Sequence, residues 1–269
     1  VRMRSVIVIM LLLLSKLGAS AQTPAGIAYY DVDRLYDTIP SLFYDDRAYT
    51  PEGTYGWDTE RYRRKIRQVA ETVDSMALPV VALYGVETEQ VARDIAARCV
   101  EDYACLHRTL SSRNGLDFAL LYWGDRLFIR SVESGFDYLS VDGTLDGRPL
   151  LLVLSRYSST AEHIAAKRAK ADEQCRIVIM GRTDNFATKD NTFRDATAKA
   201  EAAGRGNALF RSGWTMADRI LVTHNVTADA EVYARRRLLD SEGRPAATFS
   251  RRRYTAGCSN RLPIYIYLH

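Results

Sequence analysis

Short apolar runs alternate with amphipathic segments along most of the chain. The runs are rich in Val, Ile, Leu and Tyr, and Gly or Pro bounds several of them, which indicates β-strands. Predicted strands cover residues 26–33, 79–84, 116–123, 127–132, 150–154, 176–181, 219–223 and 262–268. Because some strands follow one another directly and others are separated by helices, we predict an α/β two-sheet sandwich flanked by helices, not an all-parallel barrel.

Three segments show helical periodicity, over residues 58–76, 90–99 and 160–173. The first is the clearest, because its apolar side chains recur at helical spacing: Tyr62, Ile66, Val69, Val73 and Met76. Asp58 or Thr59 can cap its start. Its basic cluster is predicted to reach water as a solvated face, and consists of Arg63, Arg64, Lys65 and Arg67.

The N-terminus has the pattern of a secretory signal peptide. Arg2 and Arg4 precede the apolar run Val6–Leu14, and small residues at 19–21 form a cleavage site. This run is too short to span a bilayer, so an uncleaved anchor helix is the less favoured alternative. We predict that residues 1–21 are removed, that residues 22–269 form one domain, and that the protein is exported to the periplasm or beyond the cell.

Removal of residues 1–21 would take away three cationic side chains and no acidic ones, lowering the formal net charge from +4 to +1. A general electrostatic attraction to nucleic acid therefore has little support. Two arginine runs, at residues 235–237 and 251–253, are interpreted as solvated loop charge, with a polyanion-binding patch as the alternative. We expect a monomer with no transmembrane segment after cleavage.

Four cysteines, Cys99, Cys105, Cys175 and Cys258, follow the predicted signal. In an oxidising compartment an even number permits disulfides, and Cys99 and Cys105 are close enough in sequence to close a small loop. We therefore predict that these two pair, while Cys175 is a buried thiol. The spacing of the four does not fit a zinc site, so no structural metal is expected.

Polar residues or glycines follow several predicted strands: Asp31, Asp33, Gly85, Ser155, Arg156, Arg182 and Asp184. In open α/β sheets, functional groups gather where strands give way to loops. The sequence therefore predicts a functional site among these residues.

Eight segments, taken in order, resemble one family. In the first half, residues 30–38 resemble an opening strand of pattern Y-N-V-E-N-L-F-D, residues 50–62 the following insert and helix, residues 80–87 a strand ending in Q-E-V-E, and residues 115–122 the pattern G-x-D-x-A-L-L-Y. In the second half, residues 152–157 stand where N-H-W is expected, residues 179–184 for M-G-D-F-N, residues 214–220 for W-x-M-x-D-x-I and residues 258–264 for S-D-H-L-P-V.

These patterns belong to the endonuclease/exonuclease/phosphatase (deoxyribonuclease-like) family, and the chain resembles its exported bacterial members. The resemblance implies a four-layer fold and metal-dependent phosphoester hydrolysis. In that chemistry carboxylates hold Mg²⁺ or Mn²⁺, one His held by a carboxylate activates water, and a second His and an Asn bind phosphate.

Most of the family's chemical residues are replaced in this chain. The metal-ligating Glu corresponds to Gly85, and the two catalytic His correspond to Arg156 and Arg261. The remaining replacements are Asp31 for Asn, Arg182 for Asp, Asp184 for Asn, and Asn260 for Asp. Asp117 and Asp218 match the family's polar pattern.

The resemblance thus implies a degenerate site that lacks Mg²⁺ and catalytic activity. Arg156, Arg182 and Arg261 are expected to enter the former metal site, to pair with Asp residues, and to bind phosphate or another anion. An active hydrolase with a metal site rebuilt from Asp31, Asp33, Asp184 and Glu87 is the alternative, and a structural envelope protein is a third. The natural ligand and partner, and nuclease or phosphatase ancestry, stay open.

Overall fold

A computed structural model describes residues 24–110, 114–156, 159–183, 192–211 and 213–268. The predicted signal peptide, residues 1–21, and the candidate site residue Asp184 lie outside the described residues. Two mixed sheets, each of six strands, form the framework, with helices beside them. This is the predicted α/β two-sheet sandwich.

Sheet 1 is built around a parallel pair of strands, β1 and β2, and its other neighbouring strands are antiparallel. Its order in space is β13 (Glu231–Val232), β16 (Ile264–Tyr267), β1 (Gly26–Leu35), β2 (Val80–Val86), β4 (Asp117–Trp123) and β3 (Tyr103–Arg108). All seven residues of β2 are buried, as expected for a central strand covered on both faces.

Sheet 2 repeats this plan around the parallel pair β7 and β8. Its order is β5 (Leu127–Ser134), β6 (Tyr138–Leu145), β7 (Arg148–Arg156), β8 (Arg176–Arg182), β12 (Arg219–Thr223) and β9 (Phe193–Asp195). Two small hairpins complete the strands, formed by β10 (Ala208–Phe210) with β11 (Gly213–Thr215) and by β14 (Phe249–Ser250) with β15 (Arg253–Tyr254).

Four α-helices are described: α1 (Thr59–Met76), α2 (Glu89–Ala96), α3 (Ser159–Ala171) and α4 (Ala198–Ala202). Asp58 caps α1 as predicted, since its carboxylate accepts a hydrogen bond from the Arg61 amide at 2.9 Å. Helices α1 and α2 contact strands of sheet 1, and α3 contacts sheet 2. Within the described residues, none of the helices has both the length and the apolar character required to cross a bilayer.

The prediction that Lys65 reaches water is wrong, because its side chain is buried. At 100° per residue, position 65 falls in the same phase as Val69, Thr72 and Met76, all of which are buried. The helical periodicity therefore places a charged side chain among apolar ones. Its ammonium group bonds to backbone carbonyls, as described below.

The predicted Cys99–Cys105 disulfide is also wrong, because all four cysteines are free. Cys99 follows α2 and its thiol donates a hydrogen bond to the Ile95 carbonyl at 3.4 Å. Cys105 lies on β3, where Arg93 and Glu89 of α2 act on its thiol. Burial raises the pKa of Cys99 to about 12, which further disfavours the reactive thiolate.

Candidate functional site

The parallel strand pairs of the two sheets end at one cleft. Asp31 of β1 and Gly85 of β2 lie at the end of one pair, and Arg156 of β7 pairs in register with Arg182 of β8 at the end of the other. The sheets meet closely below this point, because a Cβ built on Gly181 would lie 3.3 Å from the Tyr29 hydroxyl. The fold thus brings four of the predicted strand-end residues, Asp31, Gly85, Arg156 and Arg182, to a common site.

Asp218 is the centre of the cleft's electrostatics. Its side chain is fully buried, and its Oδ2 lies 3.8 Å from the Nε of Arg261. Burial raises the pKa of Asp218, whereas the positive charges of Arg261, Arg182 and Arg156 act to lower it. All three candidate arginines therefore act on one buried carboxylate, which the family pattern had identified as retained.

Asn207 holds this carboxylate in place. Its amide donates to Asp218 Oδ2 at 2.7 Å, and its side-chain oxygen accepts from the amides of Ala217 and Asp218 at 2.8 and 3.2 Å. The Asn207 carbonyl also accepts the Leu262 amide at 2.7 Å. Asn207 thereby ties the segment before β12 to the loop that carries Arg261.

Two of the three arginines are covered by aromatic rings. The guanidinium carbon of Arg156 lies 4.1 Å from the centroid of the Tyr84 ring, and that of Arg261 lies 5.3 Å from the centroid of Phe210. Rings at these distances attract a cation and restrict its orientation. The guanidinium groups of Arg156 and Arg261 are therefore held in position by packing against these rings.

Asp31 lies where β1 bends sharply. Its Oδ1 accepts the Asp33 amide at 2.9 Å, and Asp33 and Arg34 both adopt the left-handed conformation, with φ of 50° and 58°. Lys65 Nζ stabilises the bend by donating to the carbonyl of Asp33 at 2.5 Å. Burial and the neighbouring Asp218 raise the pKa of Asp31 to about 6, while burial lowers the pKa of Lys65 to about 8.

The backbone conformation and the lack of a side chain at Gly85 allow β2 to pack closely against this bend. It has a φ of +87°, and a Cβ at this position would lie 3.2 Å from the Arg34 amide nitrogen and 3.5 Å from Asp31 Oδ1. L-residues rarely adopt such a φ, so a larger side chain would be strained as well as crowded. The position that corresponds to the family's metal-ligating Glu therefore has a backbone conformation suited to glycine.

The described residues at the cleft do not match the ligand set that Mg²⁺ requires. A divalent ion needs several oxygen ligands, mostly carboxylates, and no group of three or more candidate ligand side chains is found in the described ranges. Asp33 pairs with Arg34 at 3.1 Å, and Glu87 accepts bonds from the Asp37 amide and the Tyr44 hydroxyl at 2.5 and 2.9 Å. A rebuilt metal site would need Asp31, Asp33, Asp184 and Glu87. The three of these that the structure describes, Asp31, Asp33 and Glu87, already accept hydrogen bonds or form an ion pair within the protein.

Two other predicted residues lie apart from the Asp218 cluster. Asn260 is exposed, whereas its neighbour Ser259 donates to the Asp31 carbonyl at 2.6 Å and so fixes the loop to β1. Asp117 accepts the Leu110 amide at 2.9 Å and lies 3.7 Å from Nε2 of the buried His107. Burial raises the pKa of Asp117 to about 7 and lowers that of His107, which favours an architectural role for this pair.

Sequence reasoning missed Tyr29, Asn207 and Lys65 as parts of this site. Tyr29 is buried in β1, and its hydroxyl has no hydrogen-bond partner among the described residues. No motif marks Tyr29 or Asn207, because their roles depend on contacts between distant segments. Lys65 could have been found from its phase on α1, as noted above.

Comparison with known proteins identifies relatives of this architecture. The sequence pattern described as "Endonuclease/Exonuclease/phosphatase family" matches residues 26–165, which is more than half of the chain. Comparison with the curated proteins found no match to this sequence.

Solved structures resemble the protein over most of its length. An endonuclease/exonuclease/phosphatase from Bacteroides vulgatus is 14% identical, with a TM-score of 0.60, covering 92% of this chain and 99% of that one. Truncated Caenorhabditis elegans TDP2 is 12% identical, with a TM-score of 0.60 and coverage of 91% and 98%. Humanised D. rerio TDP2 is 15% identical, with a TM-score of 0.57 and coverage of 91% and 98%. At these identities the likeness shows the shared fold.

Proposed function

Since the chain belongs to the endonuclease/exonuclease/phosphatase family, whose members are typically metal-dependent phosphoesterases, we propose that it is an exported, non-catalytic member. In this proposal its cleft has lost Mg²⁺ and binds phosphate or a related anion through arginines. The supporting observation is the convergence of Arg156, Arg182 and Arg261 on the single buried carboxylate of Asp218. This arrangement leaves an excess of positive charge at the former catalytic site.

The loss of hydrolysis follows from the chemistry of the replacements. A general base must accept a proton, but the catalytic His corresponds to Arg261 here, and a guanidinium group has N–H donors and no acceptor. Gly85 has no side-chain ligand atom in place of the Glu carboxylate. The positive charges of Arg156, Arg182 and Arg261 oppose the binding of a divalent ion. Neither water activation nor leaving-group stabilisation by metal has a residue to support it among those described at the cleft.

Anion binding follows from the same groups. Arginine recognises phosphate and carboxylate through several N–H donors held in a plane. The buried Nε of Arg261 and the buried hydroxyl of Tyr29 have no hydrogen-bond partner in the described part of the chain, and the Nε lies 3.8 Å from Asp218 Oδ2. Protonation of Asp31, whose pKa is about 6, would remove one competing negative charge as the pH falls.

Thermal unfolding in inorganic phosphate, with a chelator present, tests this proposal. Phosphate should raise the melting temperature of the wild-type protein, and the rise should be absent in Arg182→Ala and Arg156→Ala. Arg148→Ala is the matched control, because Arg148 is an exposed residue at the opposite end of β7, and it should keep the rise. An equal rise in all four proteins would contradict the cleft as the binding site.

An activity assay separates the proposal from the hydrolase alternative. The protein should release no p-nitrophenol from bis(p-nitrophenyl) phosphate with either Mg²⁺ or Mn²⁺. Release that depends on the metal and is lost in Asp218→Asn would show that a functional metal site exists, and the non-catalytic assignment would then be wrong.

Export is tested separately from binding. Expression of the full chain with periplasmic fractionation should yield a mature protein that begins at Gln22. An intact N-terminus in the cytoplasmic fraction would contradict cleavage and export without affecting the cleft.

A further inference from the structure

Two arginine runs that are distant in sequence lie along one flank of α1. The Arg61 guanidinium stacks 4.4 Å from the centroid of Tyr254, and the Gln68 side chain donates to the Ala256 carbonyl at 2.9 Å. Farther along the helix, Arg237 donates to the Glu71 carbonyl at 2.6 Å. The segment that follows the run at 251–253 therefore lies along α1 from Arg61 to Gln68, and the run at 235–237 contacts the helix one turn farther on, at Glu71. At 1.5 Å per residue these contacts span about 15 Å.

These runs form an unneutralised basic strip, defined by the following exposed residues: Arg67, Arg235, Arg236, Arg251, Arg252 and Arg253. None of the six has an ion pair with another described residue. By contrast, Arg126 and Arg219 elsewhere on the molecule are paired with Asp146 and Asp195, each at 2.6 Å. Since the mature chain would carry a net charge of only +1, the strip is a local concentration of charge.

We propose that the basic strip binds a linear, phosphate-bearing polymer. The two runs together present several exposed guanidinium groups along the flank of α1, more than a small anion can contact at once. A chain that contacts both runs gains avidity from the second contact. An open groove of about 910 Å³, lined by Arg244 and residues 250–256, gives such a chain a path across the hairpin.

The aromatic residues beside the strip, Tyr254 and Tyr233, favour recognition of charge alone. Tyr254 is half-buried with Arg61 over its ring, and Tyr233 is buried with Arg235 over its ring at 5.0 Å. Single-stranded nucleic acids bind to surfaces where exposed rings stack with bases. Guanidinium groups already cover both rings, so bases could not stack on them. We therefore assign inorganic polyphosphate, not single-stranded nucleic acid, as the polymer that the strip binds.

This surface is separate from the cleft. Helix α1 buries Ile66, Val69 and Val73 in the core and carries Arg67 of the strip on its exposed side, while the other five strip residues lie in segments beside it. None of the six is among the residues that act on Asp218 at the cleft. Polymer binding to the strip and phosphate binding to the cleft can therefore be removed independently.

Fluorescence anisotropy with end-labelled long-chain polyphosphate tests the assignment. The change Arg251→Ser/Arg252→Ser/Arg253→Ser should weaken binding by roughly tenfold or more, because it removes one of the two contact regions. Arg98→Ser/Arg148→Ser/Arg205→Ser removes the same charge from exposed, unpaired positions elsewhere in the described chain and should change affinity by less than about threefold. Pyrophosphate should compete poorly at equal phosphate concentration.

Three results would overturn the proposal. Equal losses in the two triple variants would show that only net charge matters. Tighter binding of single-stranded DNA than of polyphosphate of similar length would indicate base stacking. A loss of polymer binding in Arg182→Ala, but not in the 251–253 variant, would place the polymer in the cleft; retention in Arg182→Ala is the expected result.

Discussion

Asp218 Oδ2 lies 3.8 Å from the Nε of Arg261, and this pair connects the retained and the replaced parts of the site. The Asp matches the family's pattern, whereas the Arg stands where the pattern has a catalytic His. In the proposed non-catalytic member, this carboxylate neutralises guanidinium groups instead of helping to organise a metal site. The pair gives the cleft a buried polar centre.

Replacement of Asp218 by Asn should destabilise the protein by about 3 kcal/mol, because it leaves neighbouring cations without their buried counter-ion. The free energy of unfolding in urea measures this cost. Asp45→Asn is the control, since Asp45 is an exposed partner of Arg47, and it should leave the urea midpoint unchanged. Equal midpoints for wild type and Asp218→Asn would show that the arginines do not depend on this carboxylate.

A side chain at position 85 should destabilise the protein without restoring a metal site. Gly85→Ala and Gly85→Glu should each cost about 2 kcal/mol or more, because they combine a positive φ with contact to the Arg34 amide. Gly147→Ala measures the effect of the positive φ alone, since Gly147 has a φ of +73° but open space around its Cβ position. It should lower the free energy of unfolding by less than Gly85→Ala does. A Gly85→Glu protein as stable as wild type, with new Mn²⁺ binding, would contradict this account of the bend.

Lys65 should be required for the bend in β1. Lys65→Met keeps most of the buried volume but removes the donor to the Asp33 carbonyl, so we expect a loss of about 1–3 kcal/mol in unfolding free energy. Arg63→Met, at an exposed position on the same helix, is the matched control and should have little effect. If both variants were equally stable, the Lys65 hydrogen bond would not hold the bend.

Stability should decrease as the pH rises from about 4.5 to about 8, because buried carboxyl groups have raised pKa values. Burial raises the pKa of Glu87 from 4.5 to about 8, so the folded protein holds a proton that the unfolded chain releases. The stability that protonated Glu87 contributes to the fold is fully present below pH 4.5 and is lost as the pH rises to about 8. Asp31 and Asp117, with pKa values of about 6 and 7, act in the same direction.

Melting temperatures across this pH range measure the effect. Glu87→Gln should weaken the pH dependence, because the amide stays neutral while it can still bond to Asp37 and Tyr44. Glu101→Gln changes an exposed residue and should keep the wild-type dependence. A Glu87→Gln protein with the full wild-type slope would show that Glu87 is not the group that titrates.

Regular periodicity made much of the fold predictable. The strands and the capped helix α1 were identified because their apolar residues recur at the spacing that burial requires. Among the strands of six or more residues, β3 and β6 were missed, since half of the residues of β3 are only half-buried and β6 contains Asp142, Gly143 and Thr144 among its apolar residues. The strands of two or three residues were missed as well, because they are too short to show a period. Polar and glycine residues weaken a strand pattern that tertiary pairing nevertheless stabilises.

The candidate site was only partly predictable. The family pattern assigned Arg156, Arg182 and Arg261 to one site, because each replaces a known polar position at a strand or loop end. It did not show that all three act on Asp218, or that Asn207 orients that carboxylate. Those relationships join β7, β8, β12 and the loop before β16, so they arise from packing between segments that no local pattern connects.

Calorimetric titration of the purified protein with Mg²⁺ tests the central claim most directly. If guanidinium groups have replaced the metal at Asp218, Mg²⁺ should give no saturable heat up to millimolar concentration, whereas inorganic phosphate should bind in the presence of a chelator. Stoichiometric Mg²⁺ binding that disappears in Asp218→Asn would contradict the claim.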